Sequence, residues 1–241
     1  RTPAAVPSAL LGSCWPTIYS AMGSGEADGY PIIEGLLSGV HLDHLEKVNV
    51  PVEEILEAGQ LTARSWVASV AESSAGRVLT IRTNVSREDG TVVLEFQERF
   101  AMRGRATTTE LPSEPAARGG VDADIIDTPR SVLRKVTVQA PTDMTAFAIV
   151  SGDFNPIHVS RNAALVAGME APLVHGMWLC AAAQHAVADP VAGRAAMHIT
   201  GWTYRMFGMV NLGDAVDITV ERVGRVRGGG LALDVTARCG D

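Results

Sequence analysis

Asp153 and His158 lie five residues apart in the segment Ser151-Gly152-Asp153-Phe154-Asn155-Pro156-Ile157-His158. A carboxylate and an imidazole can share acid and base work when the backbone between them is stiff. Pro156 fixes its own φ and keeps Asn155 out of helical geometry, and Gly152 permits a tight turn. Such a loop can aim both side chains at one point, which suits proton transfer at a carbon next to a carbonyl. Alone the pair is weak evidence, because Asp and His in polar loops serve more often as turn and capping residues. A second segment adds weight: in Pro172-Leu173-Val174-His175-Gly176-Met177-Trp178, a glycine opens an apolar helix. Backbone N–H groups at a helix N-terminus, with no side chain in the way, can bind a developing oxyanion.

The rest of the chain must position these two pieces. Val132 to Gln139 alternates as a strand, and Pro141 to Val150 enters a helical segment. Arg161 to Gly168 reads as a short helix closed by glycine, and the Ala-rich run Val174 to Val187 as a buried central helix. Strands follow over Ala195 to Phe207, Ala215 to Arg227 and Leu231 to Ala237. The earlier part has the same outline. Pro7 to Met22 has Leu10, Leu11, Cys14, Trp15, Ile18, Tyr19 and Met22 at helical spacing, with Pro16 marking a kink or a start. A helical piece or loop from Ile32 leads into a strand ending near Val50. Strands come next at Leu61 to Glu72, Arg77 to Arg87 and Thr91 to Met102, the last two joined by a turn at Arg87 to Gly90. Each half is thus a helix followed by long antiparallel strands, an α+β plan. Two such units side by side would close a larger sheet.

Between the halves, residues 106–130 shift to Thr, Pro, Glu, Gly and Asp, with Pro112, Pro115, Gly119, Gly120 and Pro129 as breakers. This divides the chain into 1–105, a linker at 106–130, and 131–241. The 241 residues allow one large domain or two small ones, and 46% hydrophobic with 20% charged residues is ordinary for a globular protein. A net charge of −7 without a basic patch argues against nucleic acid and membrane surfaces as partners. Cys14, Cys180 and Cys239 form no CxxC pair, so reduced thiols and a cytoplasmic setting are expected. The chain begins at Arg1, and Gly240-Asp241 reads as a hairpin turn lacking its second strand, so a segment of a longer polypeptide is expected.

The segments SGDFNPIHVS and APLVHGMW resemble the MaoC-type (R)-specific hydratase/dehydratase family, which has the hotdog fold. The match runs through Ser151, Gly152, Asp153, Asn155, Pro156, Ile157, His158, Ala163, Gly168, His175 and Gly176. Ser160 departs from it, where an acidic residue or Asn is usual; that position is not catalytic in the family. The resemblance covers about Val136 to Asp241, and its flavour is similar to the dehydratase region of the type I fatty acid synthases of actinobacteria and fungi. It implies a double hotdog with its last strand absent from this chain. Residues 1–105 would be a divergent, non-catalytic hotdog and 131–241 the catalytic one. It further implies dehydration of a (R)-3-hydroxyacyl thioester, or the reverse hydration. His158 would take the C2 proton, Asp153 would help the 3-hydroxyl leave, and the Gly176 N–H would bind the thioester oxygen. No metal or redox cofactor is implied. The substrate would ride on acyl carrier protein phosphopantetheine or coenzyme A, within a multienzyme and a homo-oligomer.

Asn155, His175, Met177 and Trp178 are the candidates for substrate contact. Asn155 is expected mainly to lock the loop, and His175 to orient the oxyanion turn or cap the helix. Trp178, Leu179, Met169, Trp202 and Phe207 could line an acyl tunnel or simply pack a core. His41 and His44 are read as strand-face or loop residues rather than a metal site, since no ligand cluster of suitable spacing accompanies them. Cys180, within an apolar helix, is not expected to be a nucleophile. A second reading is a non-catalytic hotdog that scaffolds an assembly or binds acyl carrier protein, and a hotdog thioesterase is weaker still. The intact set Asp153, His158 and Gly176 favours the enzyme.

Overall fold

A computed structural model of the chain describes residues 5–27, 30–32, 39–74, 76–102, 123–189 and 197–240. The expected helical piece or loop at 33–38, the linker through residue 122, the start of the strand expected from Ala195, and Asp241 lie outside the described residues. The elements sort into two compact units that alternate along the chain. Among the described residues, no helix is long and apolar enough to cross a membrane.

The unit carrying the Asp153 loop is built on a three-stranded antiparallel sheet, in the order β10-β9-β7. β7 spans Ile125–Gln139, β9 Ala215–Val226 and β10 Leu231–Arg238. Val216, Ile218 and Val220 alternate along β9 and are fully buried, each contributing about 1.5–3 kcal/mol by leaving water. β7 begins at Ile125, earlier than the alternation from Val132 predicts. Pro129, which cannot donate to a ladder, falls where the β7–β9 register slips between Asp127 and Ser131. Three helices accompany this sheet: α3 (Thr145–Ser151), α4 (Arg161–Val166) and α5 (Gly176–Ala188). α5 packs on all three strands and buries Met177, Leu179, Cys180, Ala183, Gln184, Ala186, Val187 and Ala188. Its buried amide is satisfied, since Ser8 donates to Gln184 Oε1 from N at 3.1 Å and from Oγ at 2.8 Å. Arg134 of β7 donates to the Ala186 and Asp189 carbonyls at the C-terminal end of α5.

The other unit holds a five-stranded antiparallel sheet, β4-β5-β6-β3-β8. Its strands are β3 (Gly39–Val48), β4 (Leu61–Ser73), β5 (Gly76–Arg87), β6 (Val92–Met102) and β8 (Gly201–Arg205). Two short strands, β1 (Glu26–Ala27) and β2 (Tyr30–Pro31), pair with each other, and α2 spans Val52–Glu57. Helix α1 (Trp15–Ser24) follows a 3-10 stretch at Pro7–Cys14. Pro16 therefore marks a helix start, where its missing N–H costs nothing. α1 buries Trp15, Ile18, Ala21 and Met22 and packs on β4 and β5. The turn at Arg87–Gly90 forms as predicted, with Gly90 at φ 86° and its N–H on the Arg87 carbonyl.

Among the described residues, the larger closed sheet expected from the sequence does not form. The described strands make separate two-, three- and five-stranded sheets, and β8, which follows α5 in the chain, pairs with β3. The sequence reading also missed a buried ionic chain in the five-stranded sheet. His44 lies directly opposite Glu98, with Nδ1 2.6 Å from Glu98 Oε1 and Nε2 3.1 Å from Glu46 Oε2. His41 Nε2 reaches Glu98 Oε2 at 2.7 Å, and His44, Glu46 and Glu98 have no solvent exposure. Burial by itself would lower the His44 pKa, but the Glu98 carboxylate and the hydrogen bonds to Glu46 and Glu98 override it and raise it to about 10. Burial would likewise raise Glu98, yet His44 and the bonds to His41 and His44 hold it below its ordinary value.

The raised His44 pKa gives stability that is complete below pH 6.5 and is lost as pH rises towards about 10. The lowered Glu98 pKa gives stability that is present above pH 4.5 and is lost as pH falls. Urea midpoints of this unit should therefore be highest between about pH 5 and 6.5 and decline by pH 9. A midpoint that rose steadily from pH 6 to 9 would contradict an ionised His44.

Candidate active site

α3 ends where Gly152 takes the left-handed conformation, φ 73°, with its N–H on the Ala148 carbonyl at 2.9 Å. That reversal releases the chain into a run of local side-chain turns. Ser151 Oγ accepts from Asp153 N at 3.2 Å, Asp153 Oδ1 from Asn155 N at 3.1 Å, and Asn155 Oδ1 from Ile157 N at 3.4 Å. Pro156–His158 then form a single 3-10 turn. Ser160 caps α4 by accepting from Ala163 N, so the residue that departs from the family pattern still starts the helix. Competing side-chain acceptors thus keep 152–155 out of a helix.

Two long-range bonds sew this loop to the start of α5. His158 Nδ1 donates to the Leu173 carbonyl at 2.9 Å, which puts the lone pair of the neutral ring on Nε2. His175 Nε2 donates to the Asp153 carbonyl at 3.0 Å and lies 4.0 Å from Asp153 Oδ2. The His158 and His175 rings stack, with centroids 3.9 Å apart and planes 28° apart, and Phe147 covers the His175 ring at 5.1 Å. His175 is 1% exposed. Burial lowers its pKa against the opposing pull of Asp153, which favours the neutral ring. Gly176 is the first residue of α5, while the His175 carbonyl accepts from Trp178 N and Leu179 N. The Gly176 amide stands in the first turn, where the helix provides no acceptor and its dipole is positive.

The structure therefore brings together Asp153, His158, His175 and Gly176 from two separate segments. Asp153, His158 and His175 also offer ligand atoms that all lie within 4.8 Å of one another. Asn155 sits in the loop with its side chain turned onto Ile157 N. Met177 is buried in α5, and Trp178 packs with Phe147, Val210 and Leu212 on the Ala140, Met144 and Val174 cluster. Leu179 is buried in α5, Trp202 belongs to β8 of the other sheet, and Phe207 is 93% exposed. Cys180 is buried, and the nitrogens of His41 and His44 engage Glu98 and Glu46. The sequence reading missed Leu173 and Phe147. A backbone acceptor such as the Leu173 carbonyl has no sequence signature, and Phe147 reads as an ordinary apolar position of its helix.

Comparison with known proteins agrees with this geometry. Residues 122–238 match the MaoC like domain family. The chain is 30% identical over 162 residues to the fatty acid synthase beta subunit TOXC of Cochliobolus carbonum, covering 67% of this chain and 7% of that protein. It is 32% identical over 79 residues to the (R)-specific enoyl-CoA hydratase of Aeromonas caviae, covering 33% of this chain and 58% of that enzyme. The chain spans only 4–7% of the length of the fungal synthase subunits it matches. Among solved structures, a Mycobacterium tuberculosis protein described as a double hotdog aligns with a TM-score of 0.57 at 12% identity, covering 99% of this chain and 76% of that one. The α+β architecture is thus that of hotdog-fold proteins, and residues 122–238 of this chain match the model of the MaoC like domain family.

Proposed function

We propose that this chain is a hydro-lyase acting on thioester-bound acyl chains, interconverting (R)-3-hydroxyacyl and trans-2-enoyl thioesters. The observation that carries the reading is the convergence of His158 and Asp153 with the N-terminus of α5. In the dehydration direction, His158 Nε2 takes the C2 proton, and the C2–H electron pair becomes the C2=C3 double bond. The C3–O bond breaks as its hydroxyl receives a proton from the Asp153 carboxyl, and water leaves. One proton has then moved onto His158 and one off Asp153, and exchange with solvent resets the pair. Hydration is the reverse. Developing negative charge on the thioester oxygen is met by the Gly176 N–H, a type of donor worth about 2.7–4 kcal/mol. His175 anchors the Asp153 backbone and backs the His158 ring, while Met177 and Trp178 form the helix face beside the site. Exposed apolar side chains border the loop, with Val150 at 84% and Phe154 at 62%, a surface suited to an acyl chain.

The likeness to fungal synthase subunits supports a finer reading, in which this is the dehydratase segment of a type I fatty acid synthase. The carrier would be either acyl carrier protein or coenzyme A. The test is to give the protein crotonyl-CoA and a crotonyl-loaded carrier protein, following loss of the conjugated thioester absorbance and formation of the 3-hydroxy product. Hydration of either is expected, and preference for the loaded carrier supports the synthase setting. A folded protein that hydrates neither would refute the hydro-lyase reading and leave a non-catalytic hotdog.

A further inference from the structure

The Asp153, His158 and His175 cluster has a property that proton transfer does not require. One carboxylate and two imidazoles present ligand atoms within 4.8 Å of one another, the donor set favoured by borderline divalent metals. Bonds of about 2.0–2.1 Å around a tetrahedral ion place ligand atoms roughly 3.3 Å apart. The cluster therefore needs to close by no more than roughly 1.5 Å, within reach of small side-chain rotations. His158 already has one feature typical of a metal ligand, because its Nδ1–H is held by the Leu173 carbonyl. For His175 to coordinate through Nε2, its proton must move to Nδ1. That nitrogen is buried with no hydrogen-bond partner, so no accepted bond is lost in the change of tautomer. The bond from Nε2 to the Asp153 carbonyl is given up, and the metal bond replaces it.

We propose that Asp153, His158 and His175 together bind a divalent transition-metal ion of the Zn²⁺ type, and that this ion inhibits the protein. Inhibition follows because the metal occupies the two groups that must move protons. That consequence rests on the hydro-lyase reading, whereas binding of the metal does not. Affinity rises with pH, since a proton on either imidazole competes with the ion.

Co²⁺ is the probe, because its visible d–d absorption reports a site of low coordination number without any assay of activity. Titration of the full chain is expected to saturate at one equivalent, with Zn²⁺ displacing the signal. D153N, H158Q and H175Q should each weaken binding at least about tenfold. H185Q and H198Q, which alter a partly buried histidine of the last turn of α5 and an exposed histidine, neither among the three clustered ligands, should leave it unchanged. Far-UV circular dichroism checks that each variant is folded. D153N is the safest of the three, since the amide keeps an oxygen for the Asn155 N–H. A signal that survives in folded D153N and H158Q, or is lost only in H185Q or H198Q, overturns the site. Saturable Co²⁺ binding without any enoyl hydration would uphold the metal site and sink only the catalytic reading. Conversely, hydration that is indifferent to saturating Zn²⁺ would overturn the proposed inhibition.

Discussion

Replacing His158 with alanine is expected to reduce kcat/KM for enoyl-thioester hydration by about 10²–10⁴-fold, the range for loss of a positioned general acid or base. The fold should survive the change. The ring is partly exposed, and its bond to the Leu173 carbonyl is worth about 1 kcal/mol. Asp153→Asn should lower activity by a similar factor with even less structural cost, because the amide oxygen can still accept from Asn155 N. The two effects should not multiply. In the proposed mechanism Asp153 and His158 act on one substrate in one proton-transfer event, so the double variant should resemble the worse single one. Steady-state hydration kinetics, run beside urea unfolding curves, check both claims. Wild-type rates in either single variant would remove that residue from the mechanism. A loss of activity matched by an equally large loss of stability would point to a structural role instead.

The second large effect lies in the five-stranded sheet. Glu98→Gln keeps the shape of the side chain but removes the carboxylate facing both His41 and His44. His44, raised to about 10 by its carboxylate neighbours, then loses the stronger of its two acidic contacts in a site without solvent. Removing one partner of a buried ion pair costs about 3–5 kcal/mol, so the urea midpoint of this unit should fall sharply at pH 6. Replacing His41, His44, Glu46 and Glu98 together by apolar residues of similar volume should restore much of that loss, because no unpaired charge remains buried. A Glu98→Gln protein as stable as wild type at pH 6 would show that the cluster is not ionised as described. Enoyl hydration is not expected to track this change until the unit unfolds.

Much of the candidate site was legible because its information is local. Gly152, Asn155 and Pro156 restrict the backbone by their own chemistry, and the Ser151, Asp153 and Asn155 side chains each bond a backbone N–H two residues away. The start of α5 at Gly176 and the capping turn at Gly168 are local in the same way. Strands β5, β6, β9 and β10 were legible from alternation and turn glycines. The ionic chain was half visible. Glu98 occupies the inward phase of Leu94, Phe96, Phe100 and Met102, a charged residue where the alternation demands an apolar one. What no pattern stated is that His44, 54 residues earlier in the chain, stands opposite it.

The amino-acid order by itself thus determined a stiff Asp153 to His158 loop, a glycine-opened helix after His175, and long antiparallel strands in both halves. Each depends on φ restrictions, turn chemistry or period-two burial within a dozen residues. Only the tertiary structure decided that Leu173 holds the His158 tautomer, that His175 anchors the Asp153 carbonyl and stacks on His158, and that β8 pairs with β3. Those outcomes depend on backbone carbonyls and on strand partners distant in sequence. Every residue carries a carbonyl, and every extended segment offers an edge, so side-chain identity cannot choose among them. Packing of the whole chain makes that choice.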